Sequence, residues 1–293
     1  MRVTDLTDNI LSAIWQAQDQ EQTALEQLSS GKRVNRPSDD PAAAAAEVIN
    51  RDQQGQVDQY MQSIGSLNGG FQAADSALAS AITALNQAVS LGTQGANGTL
   101  SASNRQAIAA SVQGVLDQVV QLANTSYQGS YVFGGTAVTS APFTAGANGV
   151  AYNGNDGVNQ AAIADGRSIQ TNVPGSQLFQ QAGSDVMGSL QQLITALQSG
   201  DSTATSNATT AVSNALNYLS AQRVFYGNSM NEITDEQTTL NQQSTDLKSQ
   251  ENTLVGADMA QAALAVTQAQ TTHDAVLAAA ARLLPTTLLD YLK

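Results

Sequence analysis

Few residues of this chain could do chemistry. The 293 residues include one histidine, His273, and no cysteine, which excludes disulfides, thiolate nucleophiles and cysteine metal sites. A zinc peptidase helix needs two histidines four residues apart, and the serines near His273 lack the strained turn that a catalytic nucleophile requires. We therefore interpret His273 as a polar residue of a terminal helix, and we predict no catalytic residue, no cofactor and no bound metal ion.

The glycine-rich and asparagine-rich segments match no established ligand pattern. Residues 129–136 lack the Gly-Lys-Ser/Thr end of a phosphate-binding loop. Residues 153–157 lack the alternating acidic ligands and the closing glutamate of a calcium loop. Three Asn-x-Ser/Thr triplets begin at Asn97, Asn124 and Asn207, but chance supplies such triplets in a chain this rich in these residues. We predict neither phosphate nor calcium binding, and the triplets leave glycosylation open.

The charge balance limits the partners. Lysine and arginine total 11 against 24 for aspartate and glutamate, so the formal net charge is -13. A chain this acidic repels phosphate backbones and anionic lipid headgroups. The sequence contains no apolar run of about 18 residues, the length that a membrane span needs, and no cleavable secretory signal. We predict no nucleic acid partner and no membrane insertion, and we expect any export to use a route that does not read a standard signal peptide.

Two helical flanks surround a short segment that is rich in turns. Residues 1 to about 130 and about 184 to 293 are rich in Ala, Gln, Leu and Ser, which favour helices. The segment between them contains six pairs typical of tight turns: Gly134-Gly135, Asn148-Gly149, Asn153-Gly154, Asp156-Gly157, Asp165-Gly166 and Pro174-Gly175. We predict an α+β fold in which both flanks form one long antiparallel helical rod that carries a small β domain at its outer end.

A heptad stripe follows the second flank. Its apolar positions recur every seven residues, which is typical of a long helix in a supercoiled bundle: Leu219, Tyr226, Ile233, Leu240, Leu247 and Leu254. The companion seam positions are mostly polar, since Arg223, Gln237, Ser244 and Glu251 occupy them and only Met230 is apolar. The stripe is therefore too thin for a two-stranded coiled coil, and we expect it to pack on other helices of the same chain or of neighbouring copies.

A hinge separates the first helix from the second. Gly31 is suited to end a helix, and Pro37 disfavours helix at the residue before it. Asp40 can then act as an N-cap, while Pro41 occupies the first helical position, where a missing N–H costs nothing. The pattern predicts helix capping as the role of these four residues.

The terminal helices carry too little apolar surface to be stable alone. Leu11, Ile14, Leu25 and Leu28 share one register, while Ala17 and Ala24 belong to a second, shallower stripe. Burial of so little area does not offset the entropy of ordering a helix. We expect both termini to be disordered in the monomer and to fold against other subunits, with Trp15 either an assembly anchor or merely half exposed. The predicted contact residues are Leu11, Ile14, Trp15, Leu25, Leu28, Leu264, Val276, Leu277, Leu284 and Leu288.

Several motifs resemble those of the flagellin family. Residues 28–44 contain Leu-Ser-Ser-Gly-Lys and Asp-Asp-Pro-Ala, which are similar to the segment that links the terminal helix of a flagellin to its rod. Residues 124–136, 152–154, 171–175, 256–260 and 288–292 are similar to the member of that family that joins the hook to the filament. These motifs lie near both ends and in the middle of the chain, so the resemblance extends over nearly all of it.

The resemblance implies a domain organisation and a set of partners. It implies terminal assembly helices at residues 1–35 and 256–293, a helical rod at 36–134 and 184–255, and a small β domain at 135–183. It further implies type III export, copies of the chain in a ring, a hook-associated protein on the hook side, flagellin on the filament side and an export chaperone. The sequence leaves two alternatives open: a filament flagellin with a short variable domain, or a secreted adhesin that uses the β domain.

Overall fold

The computed structural model describes the backbone of residues 3–146 and 149–291 and the side chains of residues 8–9, 11–146 and 149–281. Long helices dominate this part of the chain, and short antiparallel hairpins lie in its middle, which confirms the α+β prediction. The elements are α1 (Val3–Ser30), α2 (Pro41–Gly95), α3 (Ala102–Ala123), β1 (Ser126–Tyr127), β2 (Ser130–Tyr131), β3 (Phe143–Gly146), β4 (Gly149–Tyr152), β5 (Gln160–Ala164), β6 (Arg167–Gln170), α4 (Gly175–Phe179), α5 (Val186–Ser199), α6 (Ser202–Val255) and α7 (Met259–Tyr291).

The chain divides into two compact units. One comprises residues 1–57 and 242–293, and the other comprises residues 58–241. Helices α2 and α6 each contribute to both units, whereas α1 and α7 belong wholly to the first. The domain boundaries expected at residues 35, 134, 183 and 255 stay a prediction.

The core of the second unit follows from helical periodicity. Ala74, Leu78, Ala81 and Leu85 recur at intervals of four and three residues along α2, and all four are almost fully buried. Helix α3 packs on α5, and each of these helices buries an apolar stripe of its own, for example around Leu193. The alanines allow close approach of the helices, while the leucines supply most of the buried apolar area.

The β region consists of three two-stranded antiparallel hairpins: β1–β2, β3–β4 and β5–β6. Gly166 has a φ of 66° at the turn between β5 and β6, as the Asp-Gly pair predicts. Gly154 and Gly157 lack the positive φ that tight hairpin turns favour, so the turn prediction is wrong there, and Gly175 begins helix α4 instead of a hairpin turn. Gly154 and Gly175 are required for space: a Cβ would lie 2.5 Å from the Tyr152 ring at Gly154 and 2.7 Å from the Phe133 carbonyl oxygen at Gly175.

Aromatic rings join the β region to the helices. The ring of Phe179 packs edge-on against those of Phe133 and Phe143, with both centroid distances 5.5 Å. The side chain of Asn124, which caps α3, donates to the carbonyl of Phe143 at 2.8 Å and accepts from its N–H at 2.9 Å. This amide therefore takes the place of a neighbouring strand and fixes where β3 begins.

Candidate assembly surface

The hinge between α1 and α2 is built from helix-end signals. Helix α1 ends at Ser30, and Gly31 follows with a φ of 69°, a conformation that favours glycine. Helix α2 begins at Pro41, and the Oδ1 atom of Asp40 accepts the N–H of Ala43 at 3.0 Å. This contact satisfies one of the N–H groups that a helix start leaves unpaired.

A second carboxylate closes the turn that contains the exposed residue Pro37. The Oδ2 atom of Asp39 accepts the N–H groups of Asn35 at 3.0 Å and Arg36 at 2.9 Å. These hydrogen bonds hold the pKa of Asp39 below its usual value. The hydrogen bond from the Ala43 N–H, followed by that from the Arg33 guanidinium, lowers the pKa of Asp40 in the same way. Both carboxylates are therefore ionised at neutral pH, and both act as acceptors for main-chain N–H groups.

An ion-pair network ties the hinge to α2 and α6. Lys32 Nζ lies 2.9 Å from Oε1 of Glu47 and 3.0 Å from Oε1 of Glu251. The hydrogen bond to Glu47 raises the pKa of Lys32. The Gln54 amide donates to Glu251 at 3.2 Å, and this bond, followed by that from Lys32, lowers the pKa of Glu251. The four side chains bring together chain segments about 200 residues apart.

Main-chain hydrogen bonds complete the connection between the hinge and the α6–α7 junction. The N–H of Arg33 donates to the Val255 carbonyl at 2.7 Å, and the N–H of Ala257 donates to the Gly31 carbonyl at 2.9 Å. Val34 packs with Ala43 and Val255 in a small buried cluster beneath this pairing. The ends of α1 and α7 are therefore held next to each other by the backbone itself.

Helices α1 and α7 contact each other through small side chains. The buried residues at this contact are Ala17 and Ala24 on α1 and Ala262, Val266, Ala269 and Ala280 on α7. A polar contact joins the helices as well, since Nδ1 of His273 and Oε2 of Glu21 are 3.1 Å apart. This places His273 in a helix–helix contact. Alanines bury little area each, so the side chains that the structure describes form a thin interface.

Several large apolar residues of the same helices are exposed. Leu11, Trp15 and Leu25 are exposed on α1, Trp15 by 70%, and helix geometry puts them on one stripe roughly a third of a turn from the buried alanines. Leu264 and Leu277 are exposed on α7. Ile14, Leu28 and Val276 are half-buried, while Leu284 and Leu288 lie outside the residues whose side chains the structure describes. Among the side chains that the structure describes, the pair thus leaves Leu11, Trp15, Leu25, Leu264 and Leu277 exposed to water.

The heptad stripe of α6 lies inside the fold. Leu219, Tyr226, Ile233, Leu240 and Leu247 are buried, and Leu254 is half-buried. Burial raises the pKa of the Tyr226 hydroxyl, which accepts the N–H of Val173 at 3.4 Å. At the polar seam positions, Arg223 forms a two-point ion pair with Asp75, at 2.5 and 2.8 Å, and Glu251 joins the hinge network. Polar seam residues therefore select specific partners instead of adding apolar area.

The described residues form neither a metal-binding cluster nor a membrane-spanning helix. They hold no cluster of three or more histidine, cysteine, aspartate or glutamate side chains placed to bind a metal ion. Among the same residues, no helix is long and apolar enough to cross a bilayer. What this part of the chain does present is a pair of terminal helices with exposed apolar side chains, and this arrangement indicates the class of helical structural proteins.

The chain belongs to the flagellin family. Residues 6–138 match the bacterial flagellin N-terminal helical region, and residues 209–292 match the bacterial flagellin C-terminal helical region. The first matched segment begins in α1 and the second ends in α7, so each includes one helix of the pair described above. The unmatched middle contains two of the three hairpins and α5.

Three relatives refine the comparison. Flagellar hook-associated protein 3 of Salmonella typhimurium is 33% identical over 163 residues, which cover 55% of this chain and 51% of that protein, so the chain spans about half the length of this relative. Flagellin of Listeria monocytogenes is 28% identical over 81% of this chain and 79% of its own length. The crystal structure of Bacillus cereus FlgL is 25% identical with a TM-score of 0.61, covering 70% of this chain and 99% of that one.

Sequence reasoning missed the residues that hold the hinge. Lys32, Glu47, Gln54 and Glu251 were not recognised as a unit, because nothing local connects residue 32 with residue 251. A usable signal existed in the polar seam: Arg223 and Glu251 occupy seam positions beside an apolar stripe, and a charged residue at such a position needs a partner.

Proposed function

We propose that this chain is a structural component of the bacterial flagellum that joins the hook to the filament. Helices α1 and α7 dock on equivalent helices of neighbouring copies, and no residue acts as a catalyst. The observation that carries the proposal is the exposed set Leu11, Trp15, Leu25, Leu264 and Leu277 on helices that contact each other through alanines. Water-exposed leucine and tryptophan on a thin helix pair favour burial against another subunit.

The proposal includes the order of folding and assembly. The segments 1–35 and 256–293 fold fully only as they assemble, while 36–134 with 184–255 forms the rod and 135–183 the β domain. Copies close into a ring, with a hook-associated protein on one side and flagellin on the other. The chain leaves the cell through the flagellar export apparatus, with an export chaperone on its C-terminal segment. Support comes from the thin α1–α7 interface, since coupled folding suits helices of low intrinsic stability.

Two observations bear on the choice between junction and filament. The identity to hook-associated protein 3 is higher, at 33%, and favours the junction. The match to Listeria flagellin extends over more of the chain, 81% against 55%, and keeps the filament as the second candidate. The two differ in location and in copy number, since a filament protein greatly outnumbers the hook and a junction protein forms scarcely more than a ring.

Location can be tested by thiol labelling, because the chain has no cysteine. Ser140 is exposed in a loop of the β region, and Ser140→Cys introduces one thiol for a fluorescent maleimide. In its native cell we expect a single labelled point per flagellum where the hook ends. Cells with the unmodified chain are the matched control and should show no label at that point. Uniform labelling along the filament would support a filament flagellin, and unlabelled flagella would contradict both candidates.

Limited proteolysis tests the folding order. In dilute monomer we expect both ends to be trimmed rapidly, leaving a protected fragment of about residues 40–255, because frayed helices expose their backbone to proteases. Assembled protein should resist the same treatment. Equal resistance of the termini in monomer and assembly would contradict coupled folding.

A further inference from the structure

One asparagine is set up for spontaneous chemical change. We infer that Asn97 is the preferred site of deamidation among the Asn-Gly pairs that the structure describes, namely those at Asn68, Asn97 and Asn153; the fourth pair begins at Asn148, outside the described residues. The inference does not depend on the proposed function.

The reaction needs a particular approach. The main-chain nitrogen of Gly98 loses its proton and attacks Cγ of Asn97, the new N–Cγ bond forms as the Cγ–Nδ2 bond breaks, and ammonia leaves. The resulting five-membered succinimide is opened by water at either carbonyl, which gives aspartate or isoaspartate. Water is the only co-reactant, and no oxidation or reduction takes place. The chain must therefore let the side chain fold over the following peptide bond.

The turn between α2 and α3 permits that approach. Asn97 and Gly98 are both exposed, and an added Cβ at Gly98 would meet nothing within 4 Å, so no neighbouring group obstructs the following residue. The Oδ1 atom of Asn97 accepts from the Thr99 hydroxyl at 2.9 Å and from the Thr99 N–H at 3.2 Å. This turn folds the carboxamide forward along the chain, and its two donors withdraw electron density from Cγ, which makes that carbon a better target for the nitrogen.

The other two described pairs are obstructed. Asn68 lies within α2, where attack requires local opening of the helix, and an added Cβ on Gly69 would lie 2.1 Å from the Tyr127 hydroxyl. The N–H of Asn153 donates to the Pro142 carbonyl at 2.7 Å, and its Nδ2 donates to the Thr144 hydroxyl at 2.9 Å.

The space beside Asn153 is also closed. An added Cβ on Gly154 would lie 2.5 Å from the Tyr152 ring and 2.8 Å from the Gly134 carbonyl oxygen. The peptide that would attack is thus held against the β region at Asn153 and inside a helix at Asn68. Of the three pairs, the one at Asn97 alone combines an exposed turn with open space at the glycine.

The product would alter the end of α2. Helix α2 ends at Gly95, and a new carboxylate at residue 97 stands just beyond the C-terminus of the helix, where the helix dipole disfavours negative charge. Isoaspartate adds a carbon to the main chain within the turn that carries the bond from the Leu100 N–H to the Asn97 carbonyl, 3.2 Å long. The converted turn should therefore open more readily than the original.

The test is site-resolved peptide mapping of the full chain after incubation in mildly alkaline buffer prepared with heavy-oxygen water. Mass spectrometry follows the replacement of amide nitrogen by labelled oxygen at each site. We expect conversion at Asn97 to be roughly tenfold faster or more than at Asn68 and Asn153, because the latter two must first open locally. Equal or faster conversion at either of those sites would overturn the inference.

One variant tests the attack by the nitrogen of residue 98, and one condition, the unfolded chain, separates the structural cause from the Asn-Gly sequence itself. Gly98→Ala should fold normally, since the site is open and Gly98 does not have a positive φ, and its added Cβ should slow conversion at Asn97. The full chain unfolded in denaturant should convert its three described pairs at similar rates. A preference for Asn97 that persisted in the unfolded chain would overturn the structural explanation, as would an unchanged rate in Gly98→Ala.

Discussion

The exposed ring of Trp15 allows assembly to be perturbed without disturbing the monomer. Trp15 is 70% exposed and lies on the outer stripe of α1. A large aromatic side chain buries roughly 150–250 Å², so burial of the remaining exposed part removes on the order of 100–175 Å² from water. At about 25 cal/mol per Å², this corresponds to roughly 3–4 kcal/mol per subunit.

Trp15→Ala should therefore weaken assembly by on the order of a hundredfold, while the free energy of unfolding of the monomer changes by less than about 0.5 kcal/mol. Sedimentation velocity over a concentration series, in ammonium sulfate to strengthen apolar burial, gives the concentration at which copies associate. Circular dichroism melts of dilute protein give the stability of the monomer. The matched control is Gln16→Ala, an exposed polar neighbour on another side of the helix, which should change neither quantity.

The same ring reports on its own burial, because it is the only tryptophan in the chain. In the unmodified protein its fluorescence should shift to shorter wavelength on association and become protected from iodide. A contrasting variant is Ala24→Leu, which overfills the α1–α7 contact and should loosen the helix pair already in the monomer. If the protein associates while Trp15 fluorescence and iodide access stay unchanged, or if Trp15→Ala associates at the original concentration, the reasoning is refuted.

Three further perturbations test the packing of the two units. Arg167→Met leaves the carboxylate of Glu236, which is 3% exposed, without the guanidinium that contacts it. Urea unfolding should show a loss of about 2 kcal/mol, less than for a fully buried pair because Arg167 is half exposed. Adding Glu236→Gln to the same chain should recover part of this loss, and full additivity of the two free-energy changes would contradict the pairing. Gly31→Ala should destabilise the fold by about 1 kcal/mol because residue 31 has a positive φ, although the site is open. Gly55 lies within a helix at an equally open site, so Gly55→Ala should stabilise the fold by roughly 0.5–1 kcal/mol. Melting temperatures that shift in the same direction in both variants would refute this. The lowered pKa of Asp40 means that its contribution is present above the unfolded value of 3.8 and is lost as the pH falls through the lower folded value. The hydrogen-exchange protection at the start of α2, measured relative to the intrinsic exchange rate at each pH, should therefore fall in acid in the unmodified chain and much less in Asp40→Asn.

Local rules are sufficient to predict the helix ends at the hinge. The positive φ at Gly31 and the acceptor role of Asp40 depend on a few neighbouring residues, so the sequence pattern contains the necessary information. The turn pairs of the β region predicted the backbone conformation less well, since Gly154 and Gly157 lack a positive φ and Gly175 begins a helix. Gly175 is required because Phe133 and Phe143 approach it closely, and such a contact depends on tertiary structure and not on the dipeptide.

Choosing between the two stripes of α1 also required the structure. Heptad spacing draws attention to the larger residues, Leu11 and Leu25, yet the fold buries Ala17 and Ala24 against α7. The reason is steric, since two helices that approach closely accept only small side chains between them. Sequence alone could not say which stripe a single copy would use, because both have a helical period.

The placement of small residues inside and large residues outside has an energetic consequence for assembly. A helix pair held mainly by alanines exposes little apolar area when it separates. The main-chain hydrogen bonds between Arg33 and Val255 and between Gly31 and Ala257 still keep the adjoining ends of the two helices side by side. The ordering entropy of each terminal helix is thus only partly offset within one copy, and the exposed leucines and Trp15 provide the remaining apolar area only when another surface covers them. Exchanging the two stripes, with alanine at positions 11 and 25 and leucine at positions 17 and 24, should therefore change the intramolecular helix contact and weaken association even though the composition of α1 is unchanged.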